Sequence, residues 1–148
     1  MGRVGPMKSL RSKTIMKRMC WAAQIMVTLL FLKSGWDKII DPETFARSIQ
    51  GYQLVPDRVI VFMTWVLPWL ELWCAIALWT TPLLRKSGWI LLILMLSVFT
   101  VAKFSAVVRG LDISCGCTTS GSPLTWWSVA TNVIWIGISL IGSRRDDL

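Results

Sequence analysis

Four apolar stretches, about Cys20 to Trp36, Val59 to Thr81, Gly88 to Val108 and Leu124 to Ile141, occupy more than half of this 148-residue chain. A bilayer presents a hydrocarbon layer about 30 Å thick, which roughly 20 apolar residues cross as a helix. Each stretch approaches that length. In hydrocarbon every backbone N–H and C=O must be satisfied within the protein, so a spanning segment is either a helix or a strand of a closed barrel. The four runs are continuously apolar and lack the two-residue alternation of a barrel strand. An all-α, four-helix transmembrane bundle is therefore expected, as a single membrane domain (1–148) without an internal repeat. Composition agrees: 54% hydrophobic and 16% charged residues lie outside the range of soluble domains.

The net charge of +8 would suit a nucleic-acid partner, but its distribution argues for topology instead. Arg3, Lys8, Arg11, Lys13, Lys17 and Arg18 precede the first stretch, Arg85 and Lys86 lie between the second and third, and Arg144 and Arg145 follow the fourth. The alternate connections hold Lys38, Arg47, Arg58 and Arg109, offset by Asp37, Asp41, Glu43, Asp57 and Asp112. Ten cations on one side against four on the other place both termini in the cytoplasm by the positive-inside rule. The expected order is a basic cytoplasmic arm (1–18), spans at 20–36, 59–81, 88–108 and 124–141, outer loops at 37–58 and 109–123, and a cytoplasmic tail (142–148). A signal peptide is rejected, because the first apolar run exceeds the usual 7–15 residues and no small-x-small cleavage site follows. Trp21, Trp36, Trp79, Trp89, Trp126 and Trp127 fall near expected helix ends, where indoles favour the headgroup layer.

Within the spans, small and polar residues form stripes of the kind that face a bundle interior. The first span shows Cys20, Gln24, Thr28 and Gly35, and the fourth Ser128, Thr131, Asn132, Trp135 and Ser139. In the second, Thr64, Pro68, Glu71 and Cys74 lie opposite Trp65, Trp69 and Trp73, which aims the carboxyl inward and the indoles at lipid. The first outer loop contains Asp41-Pro42-Glu43-Thr44, a helix-start signature in which Asp41 caps and Pro42 occupies the first turn. A short helix is expected there, lying along the membrane surface with Phe45, Ile49 and Tyr52 inserted.

Cys115-Gly116-Cys117 sits among Gly110, Ser114, Ser120, Gly121, Ser122 and Pro123, a composition that favours exposed irregular backbone. Two thiols one residue apart can reach disulfide distance when glycine separates them. An extracytoplasmic location lets such a bond form, and a strained small ring would exchange readily rather than act as a staple. A static bridge and a metal half-site are the alternatives, although a tetrahedral site needs about four ligands and the chain has no histidine and four cysteines in all; no metal is expected. Arg109 would favour a nearby thiolate, whereas Asp112 would oppose it or relay a proton. Cys20 and Cys74 are read as inert packing or, alternatively, as a second redox pair.

Glu71 is the costliest residue to place, because an ionisable group within a span is a functional candidate by default. Its partner stays open: Lys103 on the third span is the candidate, but it lies nearer the outer face and both side chains would have to extend to meet. A structural pair, a neutral hydrogen-bonded acid and a proton-handling role all remain open. Lys33 is explained by snorkelling.

Three segments in order, FLKSGWDKIIDPETFARSIQGYQLVP (Phe31 to Pro56), LPWLELW (Leu67 to Trp73) and RGLDISCGC (Arg109 to Cys117), resemble the MauE/DoxX family of redox-associated four-helix membrane proteins. The resemblance implies an inner-membrane protein linked to disulfide chemistry in the maturation of a periplasmic enzyme. In the methylamine-utilisation branch that client is methylamine dehydrogenase, with its disulfide-rich small subunit. Lys38, Asp41, Pro42, Glu71, Arg109, Cys115 and Cys117 are the matching positions. The family pattern continues the cysteine pair with Phe-Gly, whereas Thr118 and Thr119 follow here. The expected function is a thiol–disulfide component working through Cys115 and Cys117, with Arg109 beside them and Glu71, Lys38, Lys103 and Asp112 in support. Its partners would be the lipid bilayer and a periplasmic thioredoxin-like or client protein, and a quinone near Arg109, Lys103 and Glu71 is the candidate for resetting the pair. A non-catalytic assembly factor and a quinone-linked oxidoreductase acting on thiosulfate are the competing readings.

Overall fold

A computed structural model describes residues 6–111 and 125–144, with side chains from Lys13 onward. The described chain forms helices α1 (Pro6–Ile40), α2 (Pro42–Gly51), α3 (Asp57–Ala77), α4 (Pro82–Val108) and α5 (Trp126–Ser143), and no strand. Four of these are long and apolar enough to cross a membrane, over Lys13–Ile40, Asp57–Ala77, Pro82–Val108 and Trp126–Ser143. The protein is a multi-pass, all-helical membrane protein.

At 35 residues, α1 is about 52 Å long at 1.5 Å per residue, well beyond the hydrocarbon thickness. It runs through the segment expected as a basic arm and on into the segment expected as a loop. The Lys, Arg, Met and Leu residues before Cys20 are good helix formers, and nothing among them breaks the helix. The stop is Asp41, whose backbone (φ −127, ψ 74) is driven from the α region by the following Pro42. That one residue serves two helices. Its N–H closes the last turn of α1 on the Asp37 carbonyl (3.1 Å), and its carboxylate caps α2 by accepting from the Thr44 N–H (3.0 Å).

The chain from α3 to α4 turns within residues 78–81, and α4 starts at Pro82, earlier than Gly88, because proline suits a first helical turn. Carbonyls released at the end of α3 are satisfied by side chains. Leu78 O accepts from Gln24 Nε2 (2.7 Å) and Arg85 Nε (3.1 Å), and Thr80 O accepts from Arg85 Nη2 (2.9 Å).

Packing closes the four long helices into a ring in the order α1, α3, α4, α5, with α1 touching α5. The inward faces follow the polar stripes: Cys20, Gln24, Thr28, Gly35, Thr64, Pro68, Glu71, Cys74, Asn132 and Ser139 are all buried, while Trp65, Trp69 and Trp73 are exposed on the outer side of α3. Trp89 departs from its expected place at the membrane surface. It is 1% exposed, because α4 begins a full turn earlier and sets Trp89 inside the ring against Gly142, where an added Cβ would lie 2.5 Å from the indole.

The short helix α2 is amphipathic as expected, and its apolar face packs on protein. Phe45 and Ile49 are buried against Ile60, Met63 and Leu67 of α3. Only residues 52–56 separate α2 from α3, so α2 folds back and its apolar side chains meet protein first. Tyr52 caps the C-terminal end of α2 and is half-buried. The end of the ring covered by α2 is called the α2 end below; α1 and α4 terminate there, and α3 and α5 begin there.

Candidate functional site

The backbones of α1 and α3 come close at Gly35, where a Cβ would lie 3.1 Å from the Pro68 carbonyl and 3.2 Å from Leu72. Lys38 is three residues past Gly35 and Glu71 three residues past Pro68. Because the helices are antiparallel these steps run in opposite directions, separating the two positions by about 9 Å along the axes at 1.5 Å per residue. Side chains lean toward the N-terminus of their own helix, so in antiparallel neighbours Lys38 and Glu71 lean toward each other. The Lys38 ammonium donates to Glu71 Oε1 and to Ser34 Oγ (3.0 Å). It also lies over the rings of Phe45 (5.0 Å) and Phe99 (5.4 Å). Both charged side chains are buried, at 7% and 3% exposure.

The open question of a partner for Glu71 is thus answered by Lys38 and not by the candidate Lys103. The Lys103 ammonium, also buried, donates to Asn132 Oδ1 (3.0 Å), and Asn132 Nδ2 donates to Thr100 Oγ1 (3.3 Å). The continuation of α1 to Ile40 decides the matter: it carries Lys38 over the ring interior, where the first outer loop was expected. Glu71 keeps one carboxylate oxygen, Oε2, buried and without a hydrogen-bond partner.

Around these groups lies a cavity of about 370 Å³ at the α2 end. Lys38, Glu71, Lys103 and Asn132 line its polar part, with the hydroxyls of Ser34, Ser48, Ser128 and Thr131. Its apolar wall includes Phe31, Phe45, Leu96, Phe99 and Trp135. At its edge Lys33, which is exposed, pairs with Asp37 one helical turn on (2.8 Å). Burial of two ammonium groups and one carboxylate is costly unless each is paired or hydrogen-bonded, and the pairings above supply that for all polar atoms of the group except Glu71 Oε2.

Arg109 ends α4 rather than entering the cavity. Its guanidinium donates to the Tyr52 carbonyl (3.1 Å) and to Gln53 Oε1 (3.3 Å), which ties the exit of α2 to the end of α4. Gly110 follows with φ +66. The Leu111 N–H bonds to Ala106 O (3.1 Å) and the Gly110 N–H to Val107 O (3.1 Å), a Schellman closure that requires the left-handed glycine.

Cys115, Cys117 and Asp112 lie outside the described residues. Cys20 and Cys74 are not joined in a disulfide, both are fully buried, and Cys20 Sγ donates to the Ile141 carbonyl (3.2 Å). No group of three metal-binding side chains occurs among the described residues. The structure therefore brings Lys38, Glu71 and Lys103 to one cavity, with Arg109 on the neighbouring surface. Two features went unread in the sequence: the inward reach of Lys38 and the Lys103–Asn132 bond. The first had a signal, since the stripe Cys20, Gln24, Thr28, Gly35 reaches Lys38 with one further step of three.

The family described as methylamine utilisation protein MauE matches residues 16–144. Methylamine utilization protein MauE of Paracoccus denitrificans is 30% identical over 123 residues, covering 81% of this chain and 66% of that protein. Its namesake from Methylophilus methylotrophus is 31% identical over 122 residues, covering 80% and 64%. The chain thus spans just under two-thirds of the length of these relatives. No solved structure matches it at a significant level.

Proposed function

The chain belongs to the MauE family, and from that membership we propose that it is a thiol–disulfide component of a bacterial inner membrane that assists disulfide formation in a periplasmic enzyme. By the names of its relatives the pathway is methylamine utilisation, and the client is the methylamine dehydrogenase small subunit. The observation that carries the reading is the pair Cys115 and Cys117, which the sequence places between α4 and α5, on the connection away from the ten cations. With those cations in the cytoplasm, the pair faces the periplasm, where disulfides persist.

Exchange would run through a mixed disulfide. A client thiolate attacks one sulfur of the Cys115–Cys117 bond and the other sulfur leaves as a thiolate. A second client thiolate then attacks the first client sulfur and expels the bonded sulfur of the pair as a thiolate, so that the client gains a disulfide and the pair is left as a dithiol. The two electrons and two protons pass to a quinone in the bilayer, which becomes a quinol, or the pair is reset by a thioredoxin-like protein through the same exchange. Run backwards, the same steps reduce a client.

Alkylation gel shifts test the proposal. Cys115 and Cys117 are expected to react with a membrane-impermeant maleimide from outside intact cells, to change redox state with client supply, and to trap a mixed disulfide as Cys117→Ser. Full client maturation in the Cys115→Ser/Cys117→Ser double variant would refute it and favour a non-catalytic assembly factor.

A further inference from the structure

We infer that the cavity under α2 holds the head group of a phospholipid that is singly anionic and carries free hydroxyls, its phosphate on Lys103 and a hydroxyl donating to Glu71 Oε2. The charge of the wall points to an anion. Its charged side chains are Lys33, Lys38, Lys103, Asp37 and Glu71. Lys33 pairs with Asp37 and Lys38 with Glu71, so among the described residues the ammonium groups exceed the carboxylates by one. A single negative charge on the occupant balances that excess in a setting where charge is weakly screened. The Lys103 ammonium, buried and anchored on Asn132, lies in the same cavity and can donate to a phosphate oxygen, a strong charge-assisted bond.

A bare anion would not serve Glu71. That side chain is 2% exposed and keeps Oε2 buried without a donor, and such an oxygen gains most from an O–H directed at it. The ammonium of a zwitterionic head could also reach it, but would leave the excess charge in place and set a further cation beside Lys38 and Lys103. Depth favours a lipid over a soluble ester. With 27 residues, α4 is about 40 Å long at 1.5 Å per residue, close to the roughly 40–45 Å of a bilayer with its head groups. Lys103 lies five residues before the end of α4 at Val108, about 7.5 Å along the axis, where the head-group layer meets hydrocarbon. Leu54 and Val98 are exposed members of the wall. The cavity therefore opens to the outside of the bundle, and acyl chains can lie along the apolar surface of α4 while the head enters. A volume of about 370 Å³ falls within the usual range for small-ligand sites. The proposal goes beyond the thiol–disulfide reading, because the cavity would hold such a head whether or not the cysteine pair turns over.

Native mass spectrometry of the full chain, delipidated in a neutral detergent and without client, measures the binding of dioleoyl lipids that differ only in the head. These are phosphatidylglycerol, phosphatidylmethanol (an anionic diester without hydroxyls), phosphatidylethanolamine and phosphatidylcholine, with glycerol phosphate as the soluble probe. Phosphatidylglycerol is expected to occupy one saturable site, more tightly than phosphatidylmethanol by roughly ten- to hundredfold, the worth of a hydrogen bond to an ionised acceptor. Both zwitterionic lipids and glycerol phosphate are expected to bind more weakly still. The basic residues before Cys20 attract the two anionic lipids alike, so the preference for the hydroxyl-bearing head is the signature of the cavity. Lys103→Met should bring phosphatidylglycerol down to the level of phosphatidylcholine, and Glu71→Gln, a weaker acceptor, should narrow its lead over phosphatidylmethanol. Equal binding of the two anionic lipids by the wild-type chain, a zwitterionic lipid or glycerol phosphate bound as tightly as phosphatidylglycerol, or no binding of any probe would overturn the proposal, and these comparisons need no variant to fold. An undiminished preference for phosphatidylglycerol in Lys103→Met would overturn it as well.

Discussion

Replacing Lys38 by Met keeps most of the side chain's volume and removes its charge. The cost can be worked from what Lys38 holds. Glu71 would lose its one ion-pair partner while remaining 2% exposed, and breaking a buried pair from one side costs about 3–5 kcal/mol. Loss of the bond to Ser34 and of the ring contacts with Phe45 and Phe99 adds about 1 kcal/mol more. The double variant Lys38→Met/Glu71→Leu removes both charges, and apolar replacement of a buried pair is usually neutral or stabilising by about 1–4 kcal/mol. The expected signature is therefore strong non-additivity, with a coupling energy above about 3 kcal/mol. Reversible unfolding by SDS in mixed micelles, followed by far-UV circular dichroism, supplies the double-mutant cycle. If Lys38→Met costs less than about 1 kcal/mol, or the two single effects add, the pair does not hold α1 to α3 as described.

Gly142→Ala should destabilise the fold by about 1–3 kcal/mol through overpacking, since its Cβ would sit 2.5 Å from the buried Trp89 ring. Trp89→Phe in the same chain should restore much of the loss, because the phenyl ring is shorter and the indole N–H it replaces has no partner; thermal unfolding of the two variants decides. Hydrogen bonds from Thr44, first its side chain and then its backbone N–H, hold the Asp41 carboxyl below its ordinary value of 3.8. A lowered native value stabilises fully above the unfolded value and is lost as pH falls through the native one. The start of α2 should thus stay capped at neutral pH and loosen only below about pH 3.8, seen as faster amide exchange at Thr44. Asp41→Asn should keep the cap and remove the pH dependence.

The bundle was legible because lipid permits few alternatives: continuous apolar runs read directly as helices, and stripes such as Thr64, Pro68, Glu71 and Cys74 read directly as an interior face. Where two environments of similar polarity compete, sequence periodicity does not choose between them. Phe45 and Ile49 show the same helical spacing whether they enter lipid or pack on α3, and the five residues that return the chain to α3 settled it. Trp89 reads as a surface anchor only if its helix starts nearby, and Pro82 moved that start. Side-chain partners are harder still. Lys103 and Lys38 are both cations within reach of the bundle interior, and which one meets Glu71 depends on how far α1 continues, which is set by a dipeptide, Asp41-Pro42, outside the span itself.

Gly35 contributes no polar atom, yet it governs how far the Lys38 ammonium must stretch. Backbone meets backbone there, and a lysine side chain bridges an axial offset only while the two helix axes stay that near. A methyl group at this position would prise α1 from α3 by a few tenths of an ångström at the level where the reach is already long. Position 35 is in that sense a spacer of minimum thickness, and the polarity of the neighbouring chamber is adjusted by steric bulk at a residue that never touches its contents.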